Sequence, residues 1–272
     1  MKSSSPTTRR RWLTVLGQAV VGLVAVKAAR PVKAAVQNAL ATAPAPKSYD
    51  PFAHSWRMCI DVEKCIGCGL CVEACKKENH VIPKAAYFRT WIERYIIKRG
   101  EPGSEDPRGE TIVDSPNGGH DGFPPSTIPR EEVLKSFFVP KLCNQCENSP
   151  CDQACPVGAT FRTPDGAVII DKTYCIGCGF CIQACPYGCR YLDPNTHMAD
   201  KCTLCYHRLS RGLKTACVEV CPTGARILGD MKDSRPDNPI RQFVEKNKVQ
   251  VIKPHLGTEP RVLYAGLDKE VR

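Results

Sequence analysis

Apolar residues along most of this chain come in short runs rather than long amphipathic stretches. "MCIDV" ahead of Cys65 and "AVIID" ahead of Cys175 each carry an aspartate four residues before a cysteine, and predict small strands that feed into loops. Short helices are expected after each C-x3-C. Residues 98–130, dense in Gly, Pro and charge, read as a long surface excursion, and because a free loop of that length is costly it is expected to lie on a partner. Downstream, Asn238 to Lys246 predicts a short helix, and "VQVIK" and "RVLYAG" around a Pro/Gly turn predict a C-terminal hairpin. The longest apolar stretch, Leu13 to Val26, is shorter and more polar than the roughly 20 residues that span a bilayer.

That stretch follows consecutive arginines. "TTRRRWLTVLGQAVVGLVAV" resembles a twin-arginine export signal, with Arg9 and Arg10 as the pair, Arg11 at the variable position, and Trp12 and Leu13 as the aromatic and leucine that follow. Trp12 stands where phenylalanine is usual, and the alternative is an amphipathic N-terminal helix with a chance arginine run. Ala34, Ala41 and Ala43 offer small-residue cleavage contexts, and Pro44 disfavours a cut after Ala43. The net charge of +10 points first to nucleic acid, but seven of those charges (Lys2, Arg9, Arg10, Arg11, Lys27, Arg30, Lys33) lie in the leader. The basic balance belongs to the leader and gives no nucleic-acid partner.

Eighteen cysteines in 272 residues are the dominant chemistry. "CIGCGLCVEAC" at Cys65, Cys68, Cys71 and Cys75 is repeated as "CIGCGFCIQAC" at Cys175, Cys178, Cys181 and Cys185. Two further groups, Cys143, Cys146, Cys151, Cys155 and Cys202, Cys205, Cys217, Cys221, widen the middle spacing, and all four end in C-x3-C. Cysteines two residues apart on a tight glycine-containing loop turn their sulfurs to one side and suit three irons of a cubane. In two-cluster ferredoxins the fourth cysteine ligates the other cluster. Zinc is the alternative that only the long-gapped fourth group resembles, and disulfides give no reason for four copies of one ligand pattern. An exported protein meets an oxidising compartment, and the twin-arginine route, which carries proteins folded around cofactors, reconciles export with thiolate ligands. Cys59 and Cys189 fall outside the pattern and read as packed thiols. His80, His120, His197, His207 and His255 are scattered and read as surface or hydrogen-bonding residues, and no nucleophile–base set, Walker loop or Rossmann glycine pattern is present.

"DVEKCIGCGLCVEACKKEN", "CNQCENSPCDQACPVGATF", "DKTYCIGCGFCIQACPYGCRYLD", "KCTLCYHRL" and "ACVEVCPTGARILGD" together resemble the four-cluster iron–sulfur subunits of the molybdopterin-oxidoreductase family, from about Met58 to Asp268. Cys189 stands where that family usually has alanine, and the 98–130 excursion is longer than in its compact members. Some relatives replace one ligand with tryptophan; here all sixteen positions are cysteine, which implies four [4Fe–4S] clusters and no three-iron site. The resemblance implies crossed ligation: Cys65, Cys68, Cys71 with Cys221; Cys202, Cys205, Cys217 with Cys75; Cys143, Cys146, Cys151 with Cys185; Cys175, Cys178, Cys181 with Cys155.

It also implies an α+β fold of two ferredoxin-like modules with small sheets, short helices and cluster-binding loops, plus the insertion and the C-terminal hairpin. The expected organisation is a leader over 1–43, the first cysteine motif over 50–97, and an inserted surface segment over 98–140. A double-cluster module over 141–200, the fourth motif over 201–230 and a tail over 231–272 complete it. The implied role is an electron-transfer subunit without its own substrate site, periplasmic and membrane-associated through its partners. Those partners are a large molybdopterin-type catalytic subunit and an integral membrane quinone-interacting subunit. A wire in a hydrogenase or cytochrome-linked quinone oxidoreductase is the alternative, and a metal-stapled scaffold without redox function a more distant one.

Overall fold

A computed structural model describes residues 49–83, 87–101, 107–268 and 271; the twin-arginine segment and its cleavage contexts lie outside the described residues. The fold is α+β, with short helices set among small sheets. One sheet is ordered β10 (Val249–Gln250), β11 (Val262–Ala265), β1 (Trp56–Asp61), β9 (Arg226–Asp230). Strand β1 is its spine, with β9 antiparallel and β11 parallel to it. Met58 and Ile60 of β1, with Val262 and Tyr264 of β11, are fully buried, so these strands are held by packing as well as by the ladder. The predicted C-terminal hairpin is present as β10 against β11, with Val249 opposite Ala265.

The predicted helix over 238–246 forms as Pro239–Lys246. Asn238 caps it, its side chain accepting from the Ile240 N–H at 3.1 Å, and Pro239 occupies the first turn where no amide is needed. Ile240 and Phe243 from this helix cover Cys59 on β1.

The described part of residues 98–130 is not wholly a free excursion, because it contains a strand. β2 (Thr90–Arg99), β3 (Arg108–Gly118) and β4 (Val133–Leu142) form a sheet ordered β3-β2-β4, antiparallel throughout. Within that segment β3 therefore pairs with its own chain, on a sheet in which Trp91, Ile92, Tyr95, Ile96 and Ile97 of β2 and Phe137, Val139 and Leu142 of β4 are buried. Pro140 costs little because β4 is an edge strand. Gly119, just past β3, abuts the first cysteine loop so closely that a Cβ on Gly69 would lie 2.2 Å from its carbonyl oxygen. Two hairpins complete the described sheets, β5 (Thr160–Arg162) with β6 (Val168–Ile170) and β7 (Arg190–Leu192) with β8 (Ala199–Lys201). No helix among the described residues is long and apolar enough to cross a membrane.

Candidate metal centres

Strand register brings cysteines of different groups together. Ile60 of β1 faces Arg226 of β9, Cys65 lies five residues after Ile60, and Cys221 lies five residues before Arg226. The same arithmetic recurs in the β5–β6 hairpin, where Thr160 faces Ile170, Cys155 precedes Thr160 by five and Cys175 follows Ile170 by five. Helix α1 (Leu70–Glu78) carries Cys71 and Cys75. Helices α2 (Pro150–Gln153) and α3 (Phe180–Gln183) pack together and bring Cys151 beside Cys181. In the fourth group, Cys205 leads into α4 (Tyr206–Leu209) and Cys217 sits on α5 (Ala216–Glu219), which packs on α1.

Four small cavities result among the described residues, each lined by four cysteines. Site I is lined by Cys65, Cys68, Cys71 and Cys221. Cys75, Cys202, Cys205 and Cys217 line site II. Site III has Cys143, Cys146, Cys151 and Cys185, and site IV has Cys155, Cys175, Cys178 and Cys181. Each cavity thus takes three cysteines from one sequence group and one from another. Cys59 and Cys189 line none of the four. Cys59 is enclosed by the C-terminal helix, and the Cys189 Sγ is buried 3.2 Å from the Leu142 carbonyl oxygen.

The fourth cysteines differ in their surroundings. Burial pushes the Cys155 and Cys221 thiols up, but the N–H groups of the following C-P-x-G loops more than offset it and hold both below the usual thiol range. A hydrogen bond from Cys189 and further loop amides bring Cys185 down to about 5 against the opposing effect of burial. Cys75 has no such loop. It sits inside α1, where burial and the charges of Cys202, Cys217 and Cys205 push it well above its ordinary value. Burial likewise pushes Cys146 and Cys202 up to about 12. Clustered buried thiols that oppose one another's ionisation are a donor set suited to a strongly cationic metal core, which removes the penalty on the thiolates.

Two buried guanidiniums face these cavities. Arg226 lines site I and Arg190 lines site III, where its Nη2 donates to Cys151 Sγ at 3.0 Å. Both supply N–H donors to an anionic group, so the residues present fit a [4Fe–4S] core with four thiolates, of net charge roughly −2. Neither arginine is among the residues expected from sequence, although "CPYGCR" and "CPTGAR" place them identically, five residues after a cysteine. At site II, Arg89 is instead held by Asp200, with Nε to Oδ2 at 3.1 Å and Nη2 to Oδ1 at 2.9 Å. The histidines bond elsewhere: His207 to Glu78 at 2.8 Å, and His120 to Glu73 at 2.5 Å in an exposed group with Asp121.

Comparison with known proteins agrees with this chemistry. Residues 134–231 match the 4Fe-4S dicluster domain family and residues 56–77 a 4Fe-4S binding domain family. The sequence is 40% identical to the B subunit of tetrathionate reductase from Salmonella typhimurium, over 79% of this chain and 74% of that protein. It is 42% identical to the B subunit of tetrathionate reductase from Archaeoglobus fulgidus, over 76% and 80% respectively. Against the B component of polysulfide reductase from Wolinella succinogenes the identity is 33%, over 77% and 93%.

Proposed function

This protein belongs to the iron–sulfur electron-transfer subunits of the molybdopterin-oxidoreductase family, carrying four [4Fe–4S] clusters, and on that premise we propose that it links a membrane quinone-interacting subunit to a molybdopterin-type catalytic subunit at the periplasmic face of the membrane. When bound, the clusters accept and release single electrons. The chain's own residues hold them, insulate them from water and tune them. Substrate chemistry belongs to the catalytic partner.

The observation that carries this reading is the composition of the cavities. Four sulfur donors surround each one, drawn in the crossed sets Cys65, Cys68, Cys71, Cys221; Cys75, Cys202, Cys205, Cys217; Cys143, Cys146, Cys151, Cys185; and Cys155, Cys175, Cys178, Cys181. A core ligated by all four has no open position for a substrate, so the arrangement suits electron exchange and not catalysis at metal. Exposed apolar side chains gather in the same loops. Ile66 and Leu70 stand beside site I, and Tyr174, Ile176 and Phe180 beside site IV, each about half or more exposed. Such patches are what partner surfaces cover.

Isolation of the complex from native membranes tests the assignment. A large molybdopterin subunit and an integral membrane subunit should copurify with this protein, and iron and acid-labile sulfide should each approach about sixteen per copy. Zinc in place of iron, or a protein that purifies alone from intact membranes, would overturn it. Tetrathionate is the first acceptor to assay, given the 40% and 42% identities to subunits of that reductase.

Export is read from Arg9 and Arg10. Replacing both with lysine should leave a cluster-loaded protein in the cytoplasm, measured by fractionation. Undiminished periplasmic protein would refute the twin-arginine route.

A further inference from the structure

Arg226 and Arg190 are more deeply buried than their hydrogen bonds explain. They are 2% and 5% exposed, and neither has a carboxylate partner among the described residues. Arg226 Nη2 donates to Thr90 Oγ1 at 2.7 Å, while its Nε and Nη1 have no partner among the described residues. Arg190 donates to Thr160 Oγ1 at 3.2 Å and to Cys151 Sγ at 3.0 Å, and its Nε is left over. An isolated buried cation is strongly unfavourable unless a negative group faces it. Here the facing groups are chiefly thiols of sites I and III, with Cys71 and Cys65 facing Arg226 and Cys151 and Cys143 facing Arg190, joined by Cys217 of site II and Cys181 of site IV.

The other two sites differ. At the position that Arg190 and Arg226 occupy in "CPYGCR" and "CPTGAR", the copy "CPVGAT" carries neutral Thr160, which lines site IV. Site II receives a guanidinium from Arg89, but Asp200 neutralises it through two bonds. A further buried cation, Lys201, is held by the Cys202 carbonyl at 2.9 Å and by that of Val168, and its charge acts on Cys151 of site III. Arg226 lines site I and not site II, and Arg190 lines site III and not site IV, although each also reaches one ligand of the neighbouring site, Cys217 and Cys181 respectively. Within each pair the uncompensated positive charge is therefore unequally shared, with the larger share at site I and at site III.

We propose that Arg226 and Arg190 set the reduction potentials of sites I and III above those of sites II and IV, giving each pair one high-potential and one low-potential member. Reduction takes one electron from the reductant, dithionite in the titration below, and makes the site more negative by one unit. A fixed buried cation stabilises that reduced form. The inference rests on the crossed ligand sets proposed above. It assigns the two arginines as positioning charges: they face the ligand sulfurs and tune them without exchanging electrons themselves.

The test is an EPR-monitored redox titration of the full complex. The signals are assigned from the losses in Cys68→Ser for site I, Cys205→Ser for site II and Cys146→Ser for site III. Arg226→Gln should lower the one-electron reduction constant of site I at least tenfold, about 59 mV. Arg190→Gln should do the same at site III, and Arg226→Lys should restore most of the site I shift. Asp200→Asn frees the charge of Arg89 and should raise site II. Midpoints unmoved in both glutamine variants with the clusters in place would overturn the inference. If those variants fail to assemble, an unmoved site II midpoint in Asp200→Asn overturns it instead. Failure of the ligand sets themselves is distinguishable, because Cys221→Ser would then abolish the signal lost in Cys205→Ser.

Discussion

Cys221→Ser should abolish or convert the cluster of site I and spare site II, although Cys221 is four residues from Cys217 of site II and 150 from Cys71 of site I. The β1–β9 ladder is the physical reason. With Ile60 opposite Arg226, the segment entering the first cysteine loop and the segment leaving the fourth run side by side, and Cys221 opens toward Cys65, Cys68 and Cys71. Serine presents a harder, more basic oxygen that binds iron–sulfur cores poorly. Iron should fall by up to about four per protein, or a three-iron signal should replace the one lost in Cys68→Ser. A loss that coincides with Cys205→Ser would mean that each group holds its own cluster. The β1–β9 pairing would then have no role in ligation.

The four cysteine groups were legible because ligand spacing is a local property: the repeats at Cys65 and Cys175 stand out without any tertiary information. The helix over Asn238 to Lys246 was legible too, as was the C-terminal hairpin, through its Pro/Gly turn. The β3-β2-β4 sheet was not. "TWIERYIIKR" buries both faces for much of its length, so period-two alternation is lost, and β3 is hidden in a segment whose Gly and Pro content signals a loop. Arg190 and Arg226 were visible in the quoted phrases but carried no signal as single basic residues. Their meaning depends on burial and on the absence of a carboxylate neighbour among the described residues, which only the fold reveals. Arg89 and Asp200, 111 residues apart, illustrate the same limit. Charge pairing at that separation leaves no local pattern.

Arg89→Met should be among the most destabilising single changes in the described residues. The guanidinium binds Asp200 at 2.9 and 3.1 Å, Asn79 Oδ1 at 2.9 Å and Thr203 Oγ1 at 3.4 Å, tying the end of α1, the start of β2, strand β8 and the fourth cysteine group at one point. Its removal leaves the Asp200 carboxylate nearly enclosed, at 5% side-chain exposure, without its guanidinium partner. The remaining partners are the Tyr191 hydroxyl at 2.7 Å and Lys172 at 3.8 Å, whose side chain is 42% exposed and therefore largely screened. Breaking a buried pair in this way costs about 3–5 kcal/mol. For a domain of this size, at about 2–4 °C per kcal/mol, the melting midpoint should drop by roughly 10 °C, read from the loss of cluster absorbance on heating. Combining Arg89→Met with Asp200→Leu should recover much of the loss, since an apolar pair of similar volume often replaces a buried ion pair at little cost. The two changes should then couple by about 2 kcal/mol or more. Additive effects, or a loss under about 1 kcal/mol for Arg89→Met alone, would show that the α1, β2 and β8 segments are held together by their apolar contacts, and that Arg89 is kept beside site II for another reason.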